Sequence, residues 1–215
     1  MKKQYVVFGG GKFGASIAVT LQELGCEIIL VDKNPEVVQE LADHVSYAIC
    51  ANVEDPETFD NLGMHNLDGA IVAITENLEA SIVTTMMCRE MGIPRILAKS
   101  KNRMHEKILI SVGAHKVIYP EVEMGRRVAK YLVADNFTDW IELSPRFSLV
   151  EMDLPSQWRG KSLAELRIRE RYRLNVVGIK EGDTVDVTPD PKKPLQPGMV
   201  LIVVGENKDL EAFED

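Results

Sequence analysis

Val6-Val7-Phe8-Gly9-Gly10-Gly11-Lys12-Phe13-Gly14 is the stretch on which the fold turns. An apolar strand runs directly into a glycine turn, and a helix from Phe13 to Leu24 follows, with apolar residues at 17, 18, 21 and 24. The next strand, Ile28 to Val31, is closed by Asp32, about 18 residues after Gly14. Strand, glycine turn, helix, strand and acid form the dinucleotide-binding fingerprint. Gly9 permits the tight turn, Gly11 lets a phosphate approach the backbone, and Gly14 lets helix and strand pack closely. The helix N-terminus offers unpaired N–H groups and partial positive charge to that phosphate. Asp32, followed by Lys33, is placed to accept hydrogen bonds from both ribose hydroxyls, and a carboxylate there disfavours a 2′-phosphate, which speaks against NADP. Lys12 lies inside the phosphate loop, where the backbone alone suffices for a pyrophosphate. A cation there suits a terminal phosphate or a second anion; a solvent-exposed lysine is the simpler alternative.

Outward from this turn, a helix opens at Asn34-Pro35, and further strands fit Tyr47 to Cys50, Ala70 to Ile74, Ile96 to Lys99 and Val117 to Tyr119. Continuous apolar strands alternating with helices imply a parallel sheet covered on both faces, a Rossmann-type doubly wound α/β domain. Ala51-Asn52-Val53 and Ala73-Ile74-Thr75-Glu76-Asn77 then fall at the carboxyl edge of the sheet, where such folds bind ligands. Asn52 is suited to read an adenine edge and Ala73 to floor the base. Asn77 serves equally well as a helix cap.

A helix from Pro120 or Glu121 to about Ala134 carries small or apolar residues at 125, 128, 129, 132 and 133, with Arg126, Arg127 and Lys130 off that stripe. The stripe packs either on its own domain or on another molecule. Beyond Asp135-Asn136 the pattern changes to half-exposed strands at Trp140 to Leu143 and Phe147 to Met152. A helix around Ser162 to Ile168, a strand Asn175 to Ile179, a turn at Glu181-Gly182-Asp183, a four-proline loop (189, 191, 194, 197) and a strand Met199 to Val204 follow. The domain organisation is therefore 1–137, nucleotide-binding and including the long helix, and 138–215, a smaller α+β domain.

The 215 residues are 45% hydrophobic and 27% charged, enough apolar matter for a core without disulfides or metal. A net charge of −8 argues against a general nucleic-acid binder. No signal-peptide pattern and no span-length apolar run is present, which places the chain in the cytoplasm. Cys26, Cys50 and Cys88 read as buried free thiols. The chemistry of a dehydrogenase is missing: His44, His65, His105 and His115 show no metal spacing and read as surface or capping residues, and nothing suggests an enzyme. A small NAD-dependent oxidoreductase stays as the alternative from a different class.

GGGKFG, VDKNPE, CANVEDP, VAITEN and YPEVEMGRRVA, followed by IELSPRFSLVEM and LIVVG, resemble the RCK (regulator of K⁺ conductance) domains of Trk/Ktr potassium-uptake regulatory subunits, in the Ktr-type arrangement of one N-domain and one C-domain. The resemblance covers essentially the whole chain. It implies a homo-oligomeric ring, usually an octamer, docked beneath a membrane K⁺-translocating subunit on the cytoplasmic side and gated by ATP or ADP, with NAD(H) bound in some members. It further implies that Gly9, Gly11, Lys12, Phe13 and Gly14 hold phosphates and Asp32 the ribose. Asn52, Val53, Ala73 and Thr75 surround base and sugar, and Lys99 lies near. Glu121 holds a cation, Na⁺ or Mg²⁺, at the phosphates. Two departures stand out: Lys12 where arginine is common, and Glu54 where threonine is common. In the C-domain, Ile168-Arg169 and Asn175-Val176 match positions that bind cyclic di-AMP in some relatives. Regulation of another cation channel or transporter by the same module is the remaining alternative.

Overall fold

The computed structural model describes residues 2–55, 58–59, 67–133 and 137–212, without the side chains of 130, 131, 133, 137 and 138. Pro56, His65, Ala134 and Asp135-Asn136 lie outside the described residues. The chain divides into two compact units, Met1–Glu121 and Val122–Asp215. The first is a six-stranded parallel sheet in the order β3-β2-β1-β4-β5-β6. Its strands are β1 (Gln4–Phe8), β2 (Glu27–Asp32), β3 (Tyr47–Cys50), β4 (Gly69–Val72), β5 (Ile96–Lys99) and β6 (Lys116–Ile118). The described helices of this unit are α1 (Lys12–Glu23), α2 (Pro35–Leu41), α3 (Leu78–Glu90) and α4 (Arg103–Ser111), and α5 (Pro120–Val133) begins at its end.

The unbroken apolar run of β1 follows from its central place. Val6 and Phe8 enter one hydrophobic cluster and Val7 the cluster on the opposite face, all three with no exposure. Burying each contributes about 1.5–3 kcal/mol. Asparagines start three of the helices: Asn34, Asn77 and Asn102 accept from the amides of Glu36, Ala80 and His105 at 2.9, 3.0 and 2.9 Å. Because β3 lies at the edge and the chain then crosses to β4 beside β1, the sheet reverses direction of growth between β1 and β4, where such folds open a crevice.

The second unit is a five-stranded antiparallel sheet in the order β10-β9-β11-β8-β7, from β7 (Phe137–Glu142), β8 (Phe147–Asp153), β9 (Asn175–Glu181), β10 (Thr184–Asp186) and β11 (Met199–Glu206). Alternation along β11 puts Met199, Leu201 and Val203 in the core with Trp140, Val150, Met152 and Trp158. The short strand β10 and the final helix α8 (Asn207–Glu211) are additions to the sequence reading. The helix expected over Ser162 to Ile168 is instead two pieces, α6 (Leu163–Leu166) and α7 (Ile168–Tyr172), broken at Arg167 with φ 51°. Leu166 and Ile168 are both core residues. Two positions apart, they face opposite sides of a continuous helix, so the left-handed residue between them turns both inward.

Two further expectations are corrected. Cys88 is buried and Cys26 half-buried, but Cys50 is exposed, because it ends the edge strand β3. His105 is neither surface nor cap: it is 2% exposed, with no hydrogen-bond partner for either ring nitrogen among the described residues, on the inner face of α4 with Leu109. Along α5, Val128 and Leu132 of the expected stripe are 46 and 73% exposed and positions 125 and 129 are exposed too, as are Val122 and Met124 outside it, so the described part of the stripe is exposed.

Candidate functional site

Register places the site. Phe8 pairs with Val31 on one side and Val72 on the other, so Gly9, Asp32 and Ala73 leave the sheet side by side. The backbone continues the alignment: the Gly9 amide donates to Val31 O at 2.8 Å and the Ala73 amide to Phe8 O at 2.8 Å. One strand further out, Asp32 pairs with Cys50, and on the far side Ala98 pairs with Val72. Lys99 follows from the end of β5.

The three motif glycines do three jobs. Gly9 holds φ +96°, a region that strains any side chain. A Cβ on Gly14 would lie 1.9 Å from the Gly9 carbonyl oxygen, so helix and turn touch backbone to backbone. A Cβ on Gly11 would meet nothing within 4 Å among the described residues. Gly11 is also the N-cap of α1, and it has no side chain to cap that helix. The first-turn amides of α1 therefore open onto accessible space, the arrangement that receives an anion.

Asp32, expected at the ribose, is tied to this turn by two backbone amides. Its Oδ2 accepts from the Gly10 amide at 2.6 Å and its Oδ1 from the Asn34 amide at 2.8 Å. Each carboxylate oxygen keeps a second lone pair for a hydroxyl donor. Gly10 is the residue the motif reading left without a role. It is buried, its amide fixes Asp32, and a Cβ there would lie 2.5 Å from Val37 Cγ1. Its place as the middle one of three consecutive glycines was its sign in the sequence.

The loops after β3 and β4 are built differently from the expected base-reading pair. Asn52 Oδ1 accepts from the Glu54 amide at 3.2 Å and its carbonyl accepts from Thr58 Oγ1 at 2.8 Å, so its side chain serves its own turn. Val53 is 8% exposed and belongs to the core. Asn77 caps α3 through Oδ1 while its Nδ2 donates to Glu54 Oε1, fastening the two loops to one another. Ala73 and Thr75 remain half-exposed at the crevice, and Ala73 Cβ lies 3.1 Å from where a Gly14 Cβ would be.

The charged residues divide. Lys12 and Lys33 are exposed. Lys99 is nearly covered, at 13% side-chain exposure; its ammonium pairs with Glu121 and stands 5.5 Å from the centroid of the Phe13 ring. The ammonium beside Glu121 holds that carboxyl below the usual range. Thus Phe13, Lys99 and Glu121 gather at one end of the glycine turn, and Glu121, expected to hold a cation, is ion-paired. No group of three or more metal-ligating side chains occurs among the described residues.

In the second unit, Arg169 and Asn175 are exposed, Val176 is half-buried, and Ile168, at 4% exposure, is core. A cleft of about 340 Å³ there is lined by Ile179, Glu181, Asp186, Lys193, Leu195 and Met199 among others. It includes none of those four positions, and its carboxylates disfavour a phosphodiester.

Residues 5–120 match the TrkA-N domain and residues 148–215 the TrkA-C domain. The chain is 40% identical over 214 residues to the Ktr system potassium uptake protein C of Bacillus subtilis (strain 168), covering 100% of this chain and 97% of that protein. It is 32% identical over 208 residues to the Ktr system potassium uptake protein A of Vibrio alginolyticus, covering 97% and 94%. Among solved structures, the GsuK channel bound to NAD aligns with a TM-score of 0.55 at 21% identity, over 99% of this chain and 38% of that one, a likeness of fold.

Proposed function

The chain belongs to the TrkA-N/TrkA-C family, and we propose that it is the regulatory subunit of a potassium-uptake system, working by binding an adenine nucleotide and not by catalysis. The observation that carries the nucleotide reading is the uncapped N-terminus of α1 behind an unobstructed Gly11, with the Asp32 carboxylate bonded to the amide of the neighbouring glycine. Anion donors and a ribose acceptor are thereby fixed in one rigid turn before any ligand arrives, which lowers the ordering cost of binding. The geometry favours ATP or ADP at Gly9, Gly11, Lys12, Phe13 and Gly14, with Asp32 on the ribose and Ala73 and Thr75 flanking the base side. NAD(H) fits the same turn. The potassium role rests on the two Ktr relatives, matched over nearly their full lengths.

Assembly follows from α5. Its exposed apolar residues, Val122, Val128 and Leu132, need a partner, and a second copy in a closed ring, an octamer on the cytoplasmic face of a membrane K⁺-translocating subunit, supplies one. No helix among the described residues is long and apolar enough to cross a membrane, so transport itself falls to that partner. Calorimetric titration with ATP, ADP, NADH and cyclic di-AMP tests the ligand, and sedimentation tests the ring. ADP binding weakened by about 1–3 kcal/mol in Asp32→Ala is the expected result. A chain that binds none of the four, or sediments as a monomer at micromolar concentration, refutes the corresponding half of the reading.

A further inference from the structure

We infer that the cleft in the second unit binds an aliphatic di- or polyamine. The hairpin register builds one of its walls. β9 and β10 are joined by the turn Gly182-Asp183, with Glu181 paired to Thr184 and Ile179 to Asp186. Paired and alternate residues share a face, so these four lie on one side of the hairpin. It is the side on which β11 sets Met199 opposite Glu181 and Leu201 opposite Ile179. Toward the turn that face changes from apolar to acidic. The proline loop forms the other wall, and it is fastened to residues 160–164. The Leu195 amide donates to Lys161 O at 2.9 Å, the Gly160 amide to Leu195 O at 2.8 Å and the Ala164 amide to Pro191 O at 2.9 Å. Pro189 and Pro194, each with φ fixed by its ring, line the cleft on that side. Both walls are in place before a ligand arrives, which lowers the ordering cost of binding.

The volume of about 340 Å³ suits a small molecule. Ile179, Leu195 and Met199 give the cleft an apolar floor, while Glu181, Asp186 and Asp190 face the single ammonium of Lys193 around it. Asp186 and Asp190 each accept a backbone amide through Oδ1, from Thr188 and Lys192 at 2.9 Å, and keep Oδ2 for a ligand. This excess of carboxylate selects a cation. A metal ion is the wrong cation, because no three metal-ligating side chains come together among the described residues. Carboxylates spread around an apolar floor match positive charges spread along a methylene chain. Each ammonium then makes a charged hydrogen bond, and the chain between them covers the floor.

The test is calorimetric titration of the full chain with spermidine, with n-pentylamine and a trilysine peptide for comparison. Spermidine should bind at a single site, and n-pentylamine about tenfold more weakly, for want of a second charge. Glu181→Gln and Asp186→Asn keep size and remove charge, and each should weaken spermidine about tenfold, the worth of one charged hydrogen bond. Lys193→Met removes the competing cation and should tighten spermidine about two- to fivefold. Glu40→Gln, an exposed position on α2 in the first unit, should leave it unchanged. Mg²⁺ at matched ionic strength should not displace it. Thermal melts confirm that each variant is folded. Absence of spermidine binding, or equal losses in Glu40→Gln and Glu181→Gln, overturns the site, the latter as a polycation gathering on an acidic protein. Displacement by Mg²⁺ would make the cleft a metal site, and tighter binding of trilysine a peptide site; either overturns the polyamine.

Discussion

A methyl group added at Gly11 separates the ligand role of the turn from its structural role. The residue has φ −61° and ψ 173°, which alanine adopts without strain, and its Cβ would meet no atom of the described residues within 4 Å. Two small effects on stability oppose each other. Alanine restricts the unfolded chain, worth about 0.4–1 kcal/mol, and is a poorer N-cap than glycine by roughly the same amount. Gly11→Ala should therefore melt within a few degrees of wild type. Its ligand is not spared, because the methyl occupies the side from which a phosphate reaches the α1 amides. Losing one charge-assisted amide bond costs about 1.5–3 kcal/mol, or ~10- to 100-fold in ADP affinity. Gly14→Ala is the counterpart: with its Cβ 1.9 Å from the Gly9 carbonyl, the turn must shift, at about 1–3 kcal/mol of stability, and binding is lost with the geometry. Scanning calorimetry and ADP titration of the pair give both axes. A folded Gly11→Ala that binds ADP as wild type does would refute a phosphate at this turn.

Asp32→Ala removes the acceptor for the Gly10 and Asn34 amides as well as the proposed acceptor for the ribose, so it should lower stability by about 1–2 kcal/mol while weakening ADP by about 1–3 kcal/mol, seen by melting and titration together. His105 carries a pH signature. Burial, with a smaller push from Lys101, holds its pKa below the usual 6.5, so the unfolded chain takes up a proton near that pH and the native chain does not. Stability should then fall as pH drops below about 6.5, by at most ~1.4 kcal/mol per pH unit, and His105→Leu should flatten that slope in urea titrations. The thiols should differ in kind. Exposed Cys50 should react with a disulfide reagent in the native protein, whereas Cys88, its thiol pushed up to about 12 by burial, should react only on unfolding.

The parallel sheet was legible because a central strand such as Val6-Val7-Phe8 cannot hide its two-faced burial, and the glycine turn because its spacing is dictated by backbone contact. The flanking loops were less so. Asn52 and Val53 have the residue types of a base reader, yet one bonds to its own turn and the other enters the core, a choice set by the path of the chain after β3. Glu54 stood out in the sequence only as an added charge, while its role is the bond to Asn77 across two loops distant in sequence. The break at Arg167 escaped because arginine gives no local sign of a left-handed backbone. Only the joint burial of Leu166 and Ile168 requires it.

The strand order of the two sheets also sets a timetable for synthesis. β1 emerges from the ribosome early, but it is the middle of its sheet, and its second edge stays open until Gly69–Val72 has been made. At ordinary elongation rates that interval lasts on the order of several seconds, during which an apolar strand is exposed along one side. The second sheet waits longer, since β8 and β9 are joined only through β11, Met199–Glu206. A nascent chain stopped between β6 and β11 therefore carries a finished parallel sheet and an unassembled antiparallel one. Chaperone demand should then be greatest over two separate windows of translation, one for each unclosed sheet.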